Sequence, residues 1–237
     1  MKNWYDGFVQ RYVGLKARSY DKSRFGNVKK AIVDKKEKET ILKILQQKKI
    51  KRILDVACGT GRIQIYLKRK GYKVVGMDFS VDMLSILKSK ERGALVVRGD
   101  AKTLPFKDEF FDCLVSFHFV RHLPNYLEIL KEMKRVVKKN GYIILDFPNR
   151  KSVTGYVTRM RQFIGKIGHC NLLTKSNIYS ISHMLNLTIE DLFPIFFISP
   201  IWTPLRYIKI VEGIERKLMQ KNIFIGFGYI FVVCFKK

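Results

Sequence analysis

A short glycine-rich turn carries the residues best placed to bind a ligand. The segment Ile53–Ile63 reads ILDVACGTGRI, with an apolar strand predicted before the turn and a helix after it. Cys58, Gly59 and Gly61 lie in this turn, where small residues let a ligand approach the backbone. The first amides of the predicted helix have no intrahelical partner, so the turn can bind a phosphate or a carboxylate.

The next acidic residue narrows the choice of ligand. A dinucleotide fingerprint would place a third glycine three positions after Gly61, but Gln64 stands there, which weakens the nicotinamide interpretation. Asp78 closes the second apolar segment, where a carboxylate can accept hydrogen bonds from both ribose hydroxyls. The alternative is that Asp78 only shapes the turn before Ser80. A carboxylate that binds a ribose in this place indicates a ligand that carries adenosine, whether that ligand is a nicotinamide dinucleotide or another adenosine cofactor.

A third acid follows the third apolar segment. Asp100 lies after Ala94–Arg98, where its carboxylate could accept a hydrogen bond from an exocyclic amine such as that of adenine. A lone Asp after a strand is usually a turn former. A ligand-binding role for Asp100 is favoured because it is the third such feature at one edge of the predicted sheet, after the glycine turn and Asp78. Open α/β sheets bind their ligands at this edge.

The elements that must position these residues alternate along the chain. Strands are predicted at Arg52–Ala57, Tyr72–Met77, Ala94–Arg98, Phe110–Phe117 and Tyr142–Phe147, with helices between them, the last at Pro124–Lys139. This order predicts a doubly wound parallel sheet covered on both faces. After Pro148 the pattern loosens: helices are predicted near 153–164, at Thr174–Leu185 and at Pro204–Lys221, with a sixth strand within Leu187–Phe197 and a last strand at Tyr229–Phe235.

The composition describes a folded, strongly basic chain. It has 237 residues, and 46 Lys and Arg against 20 Asp and Glu give a net charge of +26. Such a charge attracts polyanions, so RNA is one partner to consider; a lysine-rich surface without a specific partner is the other explanation.

The cysteines and the apolar runs indicate a cytoplasmic protein. The four cysteines form no CxxC pair, so we expect reduced thiols and no metal site. The longest apolar run, Leu192–Trp202, is interrupted by prolines and is too short to span a bilayer, so we expect no transmembrane segment. The first ten residues do not resemble a secretory signal.

Four motifs in order resemble those of class I S-adenosylmethionine-dependent methyltransferases, of the small-domain kind that includes the ubiquinone/menaquinone-biosynthesis enzymes. They are LDVACGTG, VVGMDFS, GDAKTLPFKDEFFDCLVSFHFVRHL and LKEMKRVVKKNGYIILDFPN. The resemblance covers about residues 37–148 and the terminal strand. It implies a seven-stranded, mostly parallel Rossmann-like sheet in a single domain. The parts of that domain would be an N-terminal helical lid (1–36), a cofactor-binding core (37–148), a helical acceptor-pocket insertion with the sixth strand (149–222) and the terminal strand (223–237).

The resemblance also implies a role for each matching residue in binding S-adenosylmethionine. Asp55 and the Gly59–Gly61 backbone, with Cys58 in the same turn, would hold the methionine end; Asp78 would bind the ribose, and Phe79 would lie beside the adenine. Asp100 and the Ala101 backbone would read the adenine edge, Phe117 would border the sulfonium, and Tyr20 and Arg24 of the lid would face the ligand's carboxylate. One departure is Ala57, where many members of the family have Gly.

Two histidines could act as a base for methyl transfer. The sulfonium activates the methyl group, so the protein mainly aligns the reactants, and a base is needed only when the acceptor must lose a proton. His118 and His122 follow the fourth strand, and similar proteins often have a histidine at the position of His122. We therefore predict His122 as the catalytic residue; the alternative is a histidine of the pocket wall.

Three functions remain open from the sequence. The first is methylation of a small or lipidic acceptor, favoured by the apolar residues around 195–198 and Trp202. The second is methylation of RNA, such as tRNA, favoured by the net charge. The third is a cofactor-binding partner protein without catalysis, which the intact set of glycines and acids argues against.

Overall fold

A computed structural model describes residue 12, residues 14–195, residues 207, 210 and 213, and residues 228–237. The described residues therefore exclude Trp4, Phe196 and Trp202. They include only three positions of the helix predicted at Pro204–Lys221.

Seven strands form one sheet, as the resemblance implies. They are β1 (Arg52–Val56), β2 (Lys73–Asp78), β3 (Leu95–Arg98), β4 (Phe111–Ser116), β5 (Val137–Pro148), β6 (Thr188–Ile195) and β7 (Ile230–Lys236). Among the described strands the spatial order is β3-β2-β1-β4-β5-β7-β6, and β7 runs opposite to the other six. The sheet is thus mostly parallel, and its strand order reverses between β1 and β4, where such folds bind ligands.

The helices follow from local capping signals as well as apolar faces. They are α1 (Leu15–Phe25), α2 (Val28–Gln46), α3 (Arg62–Arg69), α4 (Val81–Lys90), α5 (Tyr126–Val136), α6 (Val153–Phe163) and α7 (Lys175–Met184). Ser80 accepts a hydrogen bond from the Met83 amide and begins α4, as predicted. Thr174 begins α7 with a reciprocal capping box to Asn177.

The apolar faces of the sheet pack against two layers of helices. One core cluster holds Ile41 and Ile44 of α2 with Leu67 of α3, and the other includes Met133 of α5 and Ile178 of α7. Both clusters include side chains from the central strands, so the doubly wound arrangement predicted from the sequence is confirmed.

Three local predictions were wrong. The helix predicted to end at Lys139 ends at Val136, because the chain turns there into β5 and pairs Val137 with Phe111. Asn140 and Gly141 therefore lie inside a strand, at a shift of register, rather than after a helix. The segment between β3 and β4 is a loop, not a helix. Among the described residues, no helix is long and apolar enough to cross a membrane.

Candidate functional site

A cleft opens at the carboxyl-terminal edge of the central strands. It encloses about 750 Å³ of space, counted with the solvent at its mouth. Its lining comes from the end of β2, the loops after β1, β2, β3 and β4, the first turn of α4 and the N-terminal segment: Tyr12, Tyr20, Ala57, Gly59, Met77, Asp78, Phe79, Ser80, Met83, Gly99, Ala101, Phe117, His118 and Phe119. A second pocket of about 380 Å³ adjoins it around the glycine turn and adds Asp55, Cys58, Thr60, Arg62 and Ile63.

Asp78 is held by the backbone around it. One carboxylate oxygen accepts from the Gly59 amide at 2.8 Å and the other from the Ser80 amide at 2.9 Å. Burial raises the pKa of Asp78, while these backbone hydrogen bonds act in the opposite direction. Each oxygen of a carboxylate can accept a second hydrogen bond, so Asp78 keeps the capacity to bind hydroxyl groups from within the cleft.

Asp55 lies deeper, beneath the glycine turn. One of its oxygens accepts from the Gln64 amide at 3.1 Å, and the side chain is fully buried. Burial raises the pKa of Asp55 to about 7, and the nearby Arg62 guanidinium partly opposes this shift.

The turn itself combines two left-handed residues that line the cleft with one that caps the start of α3. Ala57 has φ of 58° and Gly59 has φ of 55°, and both line the cleft. Gly61 has φ of 83° and caps α3; a Cβ there would lie 2.6 Å from Leu87 Cγ. Gly61 is therefore required for packing, and it does not line either pocket.

The N-terminal helices cover the glycine turn. Asp21 of α1 accepts from Thr60 Oγ1 at 2.6 Å and pairs with Lys90 of α4. Ser80 Oγ donates to the Tyr12 carbonyl at 2.6 Å. These contacts place Tyr12 and Tyr20 over the cleft, with their ring centroids 5.7 Å apart.

A network of buried charges forms the opposite wall. Glu37 of α2 is completely buried; its Oε2 accepts from Arg62 at 2.7 Å and lies 2.9 Å from His118 Nε2. The His118 amide donates to Asp146 of β5 at 2.6 Å, and Asp146 pairs with the buried Arg121. His118 thereby stands between two charged pairs, and its φ of 60° is unusual for a residue other than glycine.

The three acid and histidine side chains of this wall could also ligate a metal. Ligand atoms of Glu37, His118 and Asp146 lie within 4.8 Å of one another. Both carboxylates are already paired with buried arginines, however, and a divalent cation would add charge beside two guanidinium groups. We therefore assign this cluster to hydrogen bonding and not to metal binding.

Most residues named from the sequence lie around the two pockets. Tyr20, Gly59 and Phe117 line both; Asp78, Phe79 and Ala101 line the larger one; Asp55 and Cys58 line the smaller one. Asp100 is not among the lining residues, although its neighbours Gly99 and Ala101 are; it accepts from the Lys102 amide instead. Arg24 belongs to α1, but its side chain lies outside what the structure describes.

The two candidate bases have different positions. His118 lines both pockets, whereas His122 ends a short 3₁₀ helix and is not among the described residues that line them. Glu37, which holds His118, was missed from the sequence. In the sequence, Glu37 is visible only as an acid on an amphipathic helix. Its contact with His118 could not be predicted, because the two residues are 81 positions apart.

Comparison with solved structures establishes the fold. Solved structures of SAM-dependent methyltransferases are similar over nearly the whole chain. The one from Thermotoga maritima has a TM-score of 0.68 at 21% identity, covering 99% of this chain and 98% of that one. The one from Archaeoglobus fulgidus has a TM-score of 0.62 at 20% identity, covering 92% and 98%. At this identity the likeness establishes the fold, which is that of class I methyltransferases.

Sequence comparison finds similarity to methyltransferases over part of the chain. The family model "Methyltransferase domain" matches residues 54–145. A demethylmenaquinone methyltransferase of Bacillus subtilis is 32% identical over 148 residues, which are 56% of this chain and 64% of the relative. That of Staphylococcus aureus is 35% identical over 134 residues, 54% of this chain and 55% of the relative. Residues 54–145 therefore match a methyltransferase domain, as the motifs predict, and the chain spans between about half and two thirds of these relatives' length.

Proposed function

We propose that this protein transfers a methyl group from S-adenosylmethionine to a small or lipidic acceptor. The observation that carries the proposal is the cleft, in which Asp78 ends β2 beside the glycine turn and Phe117 directly follows β4. The relatives named demethylmenaquinone methyltransferases favour a quinol-like acceptor. The predicted residues that line the two pockets keep their proposed roles as cofactor ligands, with residues 1–36 as the lid and 149–222 as the acceptor-pocket insertion, in a cytoplasmic protein.

The residues present fit this cofactor. Asp78 offers acceptors for two hydroxyl groups, and Met77, Phe79 and Met83 give an apolar surface for a purine. Asp55 offers a carboxylate at the inner end of the smaller pocket, where an ammonium group would favour its charged form. When bound, S-adenosylmethionine supplies an electrophilic methyl group, so the chain's own residues need only orient the acceptor and receive its proton.

His118 is the residue we propose to receive that proton. The Glu37 carboxylate can only accept hydrogen bonds, so it fixes the proton of the neutral imidazole on Nε2 and leaves Nδ1 as the basic nitrogen. Glu37 acts as a positioning residue, because it is completely buried and its own geometry is fixed by Arg62. His122, the base predicted from the sequence, is the competing candidate.

Turnover with labelled cofactor tests the proposal. The protein is incubated with methyl-labelled S-adenosylmethionine and a demethylmenaquinol, with bulk tRNA as a parallel acceptor. We expect label in the quinol; label in the tRNA alone would favour the RNA methyltransferase. Cofactor binding without label in any fraction of a cell extract would favour the non-catalytic partner protein.

A matched pair of variants decides between the histidines. We expect His118→Gln to lower kcat by about 10²- to 10⁴-fold, the usual contribution of a base, with cofactor affinity retained. His122→Gln should leave kcat nearly unchanged. Glu37→Gln should shift the pH profile of kcat, which a purely structural role would not do. A large loss of kcat in His122→Gln with little loss in His118→Gln would instead identify His122 as the base.

A further inference from the structure

Helix α6 presents an apolar stripe that the described part of the protein leaves open. Its large apolar side chains are strongly exposed: Phe163 by 88%, Val153 by 72% and Tyr156 by 64%, with Met160 and Ile164 about half exposed. At 100° per residue these five positions fall within an arc of roughly 100°. An ordinary solvent-facing helix has polar residues on this arc, so the stripe calls for a partner.

Charge borders the stripe on both sides. Arg159 and Arg161 are exposed and flank the apolar arc on opposite sides of the helix. No acidic residue lies between Asp146 and Glu190, whereas six Lys or Arg residues do. An apolar arc between arginines is the pattern of a helix that lies in the plane of a membrane interface.

The opposite face of α6 is fixed to the protein. Gly155 is buried so closely that a Cβ there would lie 2.1 Å from the Asn149 carbonyl. Ser152 caps the helix by accepting from the Gly155 amide at 2.9 Å. The helix therefore has a definite inner side, and the apolar arc points away from it.

The position of α6 relates it to the cleft. The helix follows β5 at the carboxyl-terminal edge of the sheet, the edge on which the cleft opens. The loop after α6 returns to this edge: Asn171 donates through its side chain to the Val120 and Leu123 carbonyls, just beyond His118 and Phe119. A surface bound to α6 would thus lie beside the cleft.

We propose that α6 docks this protein on an anionic lipid surface. The apolar arc would enter the acyl boundary while Arg159 and Arg161 contact the lipid headgroups. In this proposal the membrane surface is the binding partner, and no phospholipid is chemically changed. Docking would bring the cleft to the membrane, where a lipidic acceptor is dissolved; the docking itself depends neither on cofactor nor on turnover.

Vesicle cosedimentation tests this directly. The full chain is mixed with phosphatidylcholine vesicles, with or without phosphatidylglycerol, at low and high salt. We expect binding to the anionic vesicles that Tyr156→Ser/Phe163→Ser weakens at least tenfold. The matched control, Val28→Ser/Leu95→Ser, removes two similarly exposed apolar side chains elsewhere and should bind like the wild type.

A second pair of variants separates the effect of the arginines on α6 from the effect of the net charge of the protein. Arg159→Ala/Arg161→Ala should weaken binding by about tenfold, whereas Lys73→Ala/Arg92→Ala, with the same loss of charge near β3, should have little effect. Equal loss in both pairs would overturn the proposal in favour of general attraction by the net charge. Absence of vesicle binding would overturn it too. So would serine variants that bind normally but melt at lower temperature, because the chain's own residues would then cover the stripe.

Discussion

The two walls of the cleft hold their polar groups in different ways. On the wall that we propose binds the cofactor (the cofactor wall), Asp78 is fixed by the amides of Gly59 and Ser80, which belong to the loops beside it. On the wall that we propose faces the acceptor (the acceptor wall), His118 is fixed by Glu37 and Asp146, charged side chains from α2 and β5. The first wall is built from backbone hydrogen bonds, and the second from buried ions that must remain paired.

This difference predicts unequal tolerance to substitution. A backbone amide that loses a carboxylate partner at the edge of a cleft can be hydrated, so the cost is small. A buried ion that loses its partner keeps its full desolvation penalty. We therefore expect the acceptor wall to control stability and the cofactor wall to control affinity.

The largest effect should come from Arg121→Met. Arg121 pairs with Asp146 in the interior, and the variant leaves that carboxylate buried with the His118 amide as a remaining donor. We expect a loss of about 3–5 kcal/mol in the free energy of unfolding, measured by urea denaturation. Arg121→Met/Asp146→Asn removes both charges and should recover at least half of the loss. A single variant within about 1 kcal/mol of the wild type would contradict the contrast between the walls.

A smaller, pH-dependent effect should come from Asp55. Its folded-state pKa, raised by burial to about 7, exceeds the unfolded value, so the native state binds more protons between pH 4 and pH 7. The Asp55 contribution is therefore present at low pH and is lost as pH rises through the folded pKa. We expect the wild type to lose about 2 kcal/mol more than Asp55→Asn between pH 5 and pH 7 in urea titrations. Parallel pH profiles would show that Asp55 titrates normally.

The smallest effect should come from Ala57→Gly. Ala57 has φ of 58°, a conformation that costs an L-residue about 1 kcal/mol and costs glycine little, while glycine adds entropy to the unfolded chain. The two terms nearly cancel, so we expect a change within about 1 kcal/mol. Gly71→Ala is the reverse control: φ is 90° and nothing lies within 4 Å of the added Cβ, so strain alone should destabilise it. A large loss in Ala57→Gly would mean that the Ala57 methyl group contributes to packing.

The two walls also differ in what the sequence could reveal. Gly59, Asp78 and Ala101 lie in contiguous motifs, because each lies at or just after the end of its own strand, and their arrangement follows once the strand order is known. The doubly wound sheet was predictable from the alternation of strands and helices, and the Ser80 and Thr174 caps from the residue types that begin helices. Glu37 and Arg121 meet their partners only through packing between distant segments. Sequence spacing carries no signal for such contacts, and His122 was preferred to His118 on the motif alone.

Calorimetric titration with S-adenosylmethionine tests the central claim most directly. The wild type, Asp78→Ala and, as a matched control at a neighbouring acid that does not line the cleft, Asp100→Ala are titrated, with NADH as the competing ligand. The account predicts micromolar binding of S-adenosylmethionine, weakened at least tenfold by Asp78→Ala and much less by Asp100→Ala, and no binding of NADH. Binding of NADH, or equal affinity of all three proteins for S-adenosylmethionine, would contradict it.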